Sequence, residues 1–121
     1  MSRNNAQGRR ITDDMVQKAK ELLPGIPVEV KKNIHRVNSR RYYGRGIRWL
    51  WPSGAFIDMY EVTERHPGSV VQVRLHANLG TYCYDRAGTS SLSASARLRA
   101  RCDEQRAMAD ALELLERAFD L

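Results

Sequence analysis

The chain has 121 residues, 42% of them hydrophobic, and a formal net charge of +6. These figures fit one globular domain. They exclude a membrane span, since no apolar run approaches ~18 residues, and a disulfide framework, since Cys83 and Cys102 are the only cysteines.

Residues 1–10, M-S-R-N-N-A-Q-G-R-R, carry no apolar stretch and so no secretory signal. They read as a flexible basic arm, with a single domain over 11–121. Residues 11–23 read as a helix. Thr12 is the N-cap, Asp13 and Asp14 suit the positive end of the dipole, and Ile11 with Val16 can form a hydrophobic staple. Met15, Val16, Ala19, Leu22 and Leu23 make its apolar stripe. Pro24-Gly25 ends it.

Residues 28–34 read as an extended segment, and Asn38-Ser39 as a turn. Three strands follow, over 42–51, 55–62 and 69–82. Pro52-Ser53-Gly54 makes the first hairpin turn, and His66-Pro67-Gly68 the second. The third strand alternates cleanly. Val71, Val73, Leu75, Ala77 and Leu79 face one side; Gln72, Arg74, His76 and Asn78 face the other. The first two strands alternate less well, which leaves the inward faces of Trp49, Trp51, Phe56 and Met59 open. A loop over 84–91 leads to a long helix from residue 91 to about 119. Its apolar positions are Leu92, Ala96, Cys102, Met108, Ala109, Leu112, Leu115 and Phe119. Arg99–Asp103, Arg106–Asp110 and Glu113–Arg117 are i,i+4 charge pairs on its outer side. The fold class expected is α+β: an N-terminal helix, an antiparallel sheet of three to five strands and a long C-terminal helix. At roughly 40 Å that helix outruns a short strand. Its C-terminal half therefore calls for a partner, either the N-terminal helix or a second copy in a homodimer.

Charge points to the function. Residues 1–50 hold twelve Lys/Arg and four Asp/Glu, a balance of +8; residues 51–121 hold eight and ten, a balance of −2. A local excess of this kind attracts polyanions. It peaks over residues 31–48, where Lys31, Lys32, Arg36, Arg40, Arg41, Arg45 and Arg48 occur with no acid. Sixteen of the 20 basic residues are Arg, whose planar fork suits phosphate and guanine, although a GC-rich genome also favours Arg. Around this peak Arg40, Arg41, Arg45 and Arg48 interleave with the aromatic groups of Tyr42, Tyr43, Trp49 and Trp51. Arginine binds phosphate and an exposed ring stacks on bases, while a packed tryptophan is core. The row Gln72, Arg74, His76, Asn78 has the side chains that read base edges, and equally those of a wet sheet face.

No Gly-rich phosphate loop, G-x-S-x-G elbow or H-E-x-x-H sequence occurs, and the histidines and cysteines show no metal spacing. No enzyme activity, cofactor or metal is therefore expected. The reading is a cytoplasmic, non-enzymatic protein that binds DNA more readily than RNA, or another phosphodiester polyanion. The rival class is a small phage- or plasmid-encoded inhibitor. It would dock on a nucleic-acid-handling complex or sequester a nucleotide.

Pro52-Ser53-Gly54, Leu79-Gly80-Thr81-Tyr82 and the run Leu92, Ala96, Arg97 carry a resemblance. Over about 60 residues the chain resembles the arm-site DNA-binding domain of phage-type tyrosine recombinases (integrases). The resemblance implies three antiparallel strands against one helix, with the sheet laid in the DNA major groove. The chain departs from that pattern in the stretched link C-Y-D-R-A-G-T-S-S and in a weakly basic hairpin, T-E-R-H-P-G-S. Asp58 and Glu61 in the second strand are a further departure, since they would repel phosphate.

Overall fold

A computed structural model of the chain describes residues 9–32, 35–37, 40–63, 70–79 and 93–121. The arm residues 1–8, the turns at 38–39 and 66–68, and the loop before the long helix lie outside them. So do Gly80, Tyr82 and Leu92 of the integrase-like motifs.

The first helix, α1 (Asp13–Leu22), begins where the hydroxyl of Thr12 accepts the N–H of Met15 at 3.2 Å. That bond satisfies one of the four free donors of the first turn. Asp13 and Asp14 follow it, and Lys20 lies in the last turn. Ile11 is buried and Val16 packs against the same core, so both staple residues point inward.

Six strands come next: β1 (Val28–Lys31), β2 (His35–Val37), β3 (Arg40–Tyr42), β4 (Gly46–Leu50), β5 (Phe56–Thr63) and β6 (Val70–Asn78). The main sheet has the order β1-β4-β5-β6, all antiparallel. β2 and β3 form a separate two-stranded ribbon. The chain leaves the sheet edge after β1, makes the ribbon, and returns as β4 beside β1. The strand expected over 42–51 is therefore two strands with a break at 43–45. At the break the Arg45 N–H donates to Glu61 Oε1 at 2.8 Å, and the Glu61 N–H donates to the Arg45 carbonyl at 3.1 Å. A carboxylate thus occupies one of the two backbone positions that a continuous ladder would fill. The Pro52–Gly54 turn is as expected. Gly54 has φ +98°, open to glycine at low cost, and its N–H donates to the Trp51 carbonyl at 3.0 Å.

The long helix, α2 (Ala94–Phe119), starts at the Ser93 cap. It ends in a left-handed Asp120, with the Leu121 N–H donating to the Glu116 carbonyl at 2.9 Å. This is a Schellman-type stop with a residue other than glycine in the turn, and the buried Leu121 supplies its hydrophobic contact. Of the three expected charge pairs, Glu113–Arg117 closes at 3.4 Å; the other two do not reach ion-pair distance.

α1 and α2 cover one face of the sheet. The core there joins Ile47, Trp49, Ile57, Met59 and Val73 of the strands to Ala19 of α1 and Met108, Ala111, Leu115 and Phe119 of α2. Ala111 replaces Ala109 in the expected stripe, and Cys102 is exposed. The N-terminal helix, one of the two partners expected for the C-terminal half of α2, packs on it. Leu115 and Phe119 are buried, and Leu112 packs against the core. Arg9 donates to the Phe119 carbonyl and Lys18 to that of Ala118, so the N-terminal segment clamps this end. Nearer the N-terminal end of the helix Leu98 is 41% exposed. Leu112, Leu115 and Phe119, which called for a partner, are thus covered within the chain.

Trp49 is fully buried, and its indole N–H donates to the Ala19 carbonyl at 3.1 Å. Trp49→Phe keeps a ring but loses that bond and some volume. The expected loss is about 1–3 kcal/mol, read from urea denaturation. An unchanged midpoint and slope would show that the indole contact contributes nothing.

Candidate nucleic-acid interface

The opposite face of the sheet is half covered by the β2–β3 ribbon. Tyr42 packs on Tyr60 with ring centroids 5.0 Å apart. The Tyr43 N–H donates to Thr63 Oγ1 at 3.2 Å. Val37 is buried although it lies outside the main core. Cross-strand partners share a side. The register pairs Val37 with Arg40, Arg36 with Arg41 and His35 with Tyr42. Val37 and Tyr42 therefore back the ribbon onto the sheet, while Arg36 and Arg41 project together from its free side. Both are exposed, as is Arg40. No carboxylate of the described residues reaches ion-pair distance of these three guanidiniums.

Arg45 and Arg48 have a different fate. Arg45 donates to the Ile11 carbonyl at 3.0 Å and to Asp13 Oδ1 at 3.0 Å. Its side chain ties the start of α1 to the sheet. Arg48 donates through Nε to Asp58 Oδ1 at 2.8 Å and through a terminal nitrogen to Oδ2 at 3.1 Å. Asp58 is fully buried. The hydrogen bond to Asp58 raises the Arg48 guanidinium above its ordinary pKa, outweighing the desolvation that lowers it. Arg48 also stacks 3.8 Å from the centre of the Phe56 ring and reaches the Arg36 carbonyl at 3.5 Å. Both guanidiniums are bound to carboxylates of the chain itself. The acid that looked misplaced in the second strand is the partner of an arginine of the first.

The third-strand row shares the outer side of the sheet. Glu29, Arg48, Asp58 and His76 stand in register across all four strands, alternating in sign where charged. His76 is half-buried, and its Nε2 has no hydrogen-bond partner among the described residues. Arg74 is exposed and lies opposite Tyr60, to which it hydrogen-bonds. With the Gln72 amide turned so that its oxygen faces Arg74, it accepts from that guanidinium. Gln72 and Asn78 are half-buried, as is Tyr43 of the break. Arg36 and Arg41 thus lie on the free side of the ribbon, and Arg74 on the outer side of the sheet.

Arg36 is the residue missed in choosing site residues from the sequence. Two residues, 38 and 39, separate Val37 from Arg40, and that count places Arg36 opposite Arg41. The signal was available once a turn was read there.

Burial pushes the Tyr60 phenol above its ordinary pKa of 10.0; Tyr42 adds to the rise, and Arg74 opposes it. The folded state then holds this proton after the unfolded chain has lost it. Stability from this group is full below pH 10 and falls as pH rises through the folded value. Tyr60→Phe should flatten the fall in stability above pH 10, read from urea midpoints. An identical fall in the variant would assign it to other groups.

Among the described residues, no three His, Cys, Asp or Glu side chains are placed to hold a metal, and no helix is long and apolar enough to cross a membrane. No protein-family model, no curated protein and no solved structure matches the chain.

Proposed function

We propose that this chain is a non-enzymatic nucleic-acid-binding protein that grips a phosphodiester polyanion with the guanidiniums of the β2–β3 ribbon. The carrying observation is the pair Arg36 and Arg41, directly opposite and exposed, with no described carboxylate to neutralise them. Like charges in that position destabilise a ribbon. A bound polyanion turns the repulsion into attraction and releases counterions. Arg40 on the same ribbon and Arg74 on the neighbouring strand extend the surface. Arg45 and Arg48 act by holding its scaffold.

The test is binding to DNA across a salt series. Replacing Arg36, Arg40 and Arg41 by Ala should weaken binding. It should also flatten the slope of log K against log salt by up to about 2.7, at about 0.9 per lost phosphate contact. Arg45→Ala should leave the slope nearly unchanged, because its guanidinium already has Asp13. A folded triple variant with the parent's slope would sink the proposal.

The inhibitor reading has one observation on its side. Leu23, Ile26, Trp51, Ala111 and Leu114 line an open apolar groove between the end of α1 and α2, and Leu114 is 40% exposed. A defined protein co-purifying in place of nucleic acid would favour that reading.

A further inference from the structure

The geometry points to a narrower ligand at the same surface: B-form duplex DNA, with the β2–β3 ribbon lying in the major groove. This rests on the polyanion reading above and adds three arguments to it.

The first concerns stacking. Binding to single strands draws on exposed aromatic faces. Most aromatic residues around the basic segment have no such face to offer, and Tyr43 is half-buried. Trp49, Trp51 and Tyr60 are buried, Tyr42 lies against Tyr60, and Phe56 lies under Arg48. Among the described side chains of the ribbon, the exposed ones are the guanidiniums of Arg36, Arg40 and Arg41.

The second concerns shape. A two-stranded ribbon of three residue pairs is about 10 Å long. The major groove of B-DNA is about 12 Å wide and admits a two-stranded ribbon. Here the ribbon is backed on one side through Val37 and Tyr42, so its Arg36/Arg41 side is left facing outward. The A-form groove of duplex RNA is too deep and narrow for side chains to read.

The third concerns chemistry. An arginine fork pairs with O6 and N7 of guanine, which lie in that groove. Arg40, beside Val37 at the ribbon's end, is left for the flanking phosphates.

The experiment is fluorescence anisotropy at fixed salt with short DNA duplexes of randomised sequence, the single strands, RNA duplexes, and DNA duplexes with 7-deazaguanine in place of guanine. The variant is Arg36→Lys with Arg41→Lys, which keeps charge and removes the fork. Thermal melting confirms its fold. The expected result is DNA duplex bound about tenfold tighter than single strand or RNA duplex. The 7-deazaguanine duplex and the lysine variant should each lose about tenfold. The two losses should not add, and the salt slope should persist. Equal or tighter binding to single strands or RNA would overturn the duplex assignment and leave polyanion binding standing. Indifference to 7-deazaguanine would overturn the groove placement, since the arginines would then touch only phosphate. Binding to none of the four ligands would overturn the proposed function itself.

Discussion

Glu61→Ala should lower the unfolding free energy by about 3–5 kcal/mol. Glu61 is 2% exposed, at the end of the helix-covered face of β5. Its Oε2 accepts the Ile11 N–H at 2.7 Å, and its Oε1 accepts the Arg45 N–H at 2.8 Å. Hydrogen bonds to a charged acceptor are worth about 1.5–3 kcal/mol each, and both donors would be left without it in a poorly hydrated site. Gly44 fits the same contact: a Cβ there would stand 2.5 Å from Glu61 Oε1. The carboxylate therefore fastens three segments, namely the lead into α1, the break at 43–45 and β5. A small domain has roughly 5–15 kcal/mol in all, so this is a large share. Urea denaturation followed by the fluorescence of Trp49 and Trp51 measures it. Glu61→Gln keeps an acceptor and should recover part of the loss. A loss below about 1 kcal/mol for the alanine variant would show that the clasp is dispensable.

Asp58→Ala should cost a comparable amount, about 3–5 kcal/mol, because it strands Arg48 under the ribbon. Arg48 is only 22% exposed and Asp58 not at all. Removing both charges is a different change. Arg48→Met with Asp58→Leu replaces the pair by apolar groups of similar size, which is often neutral or stabilising. The double variant should therefore be clearly more stable than Asp58→Ala alone. The pair also positions the interface, since Arg48 holds the Arg36 carbonyl. Asp58→Ala should weaken DNA binding with little change in salt slope, because no exposed cation is lost. Additive losses in the double variant would mean that Arg48 and Asp58 do not act as a pair.

Much of this architecture was legible beforehand. Thr12 and the two aspartates after it announced the start of α1, and Pro52–Gly54 announced the hairpin. Alternation from Val71 onward announced β6, whose helix-covered face is apolar and whose other face is polar. β5 was harder for a physical reason. Helices cover one of its faces and the ribbon covers much of the other, so Ile57 to Glu61 are all buried and period-two alternation is lost. Trp49 and Trp51 read ambiguously for a related reason, since they sit where strand and turn meet two helices.

Local rules acting within one turn or one strand let the sequence by itself determine the α+β class, the caps, the turns and the excess of positive charge over residues 31–48. The partner of each charge lay beyond those rules. Arg45 and Arg48 look like Arg40 and Arg41 in a list of basic residues, yet Asp13 and Asp58 meet the first two, and no described carboxylate reaches the second two. Pairing depends on which strands lie side by side and on which face the inserted ribbon covers. Contacts between residues distant in sequence set both, as they set the cover that α1 and the N-terminal segment give to Leu115 and Phe119. Only the tertiary structure separated the arginines that hold the scaffold from those left facing solvent. Burying a charge demands a partner, and exposing one does not.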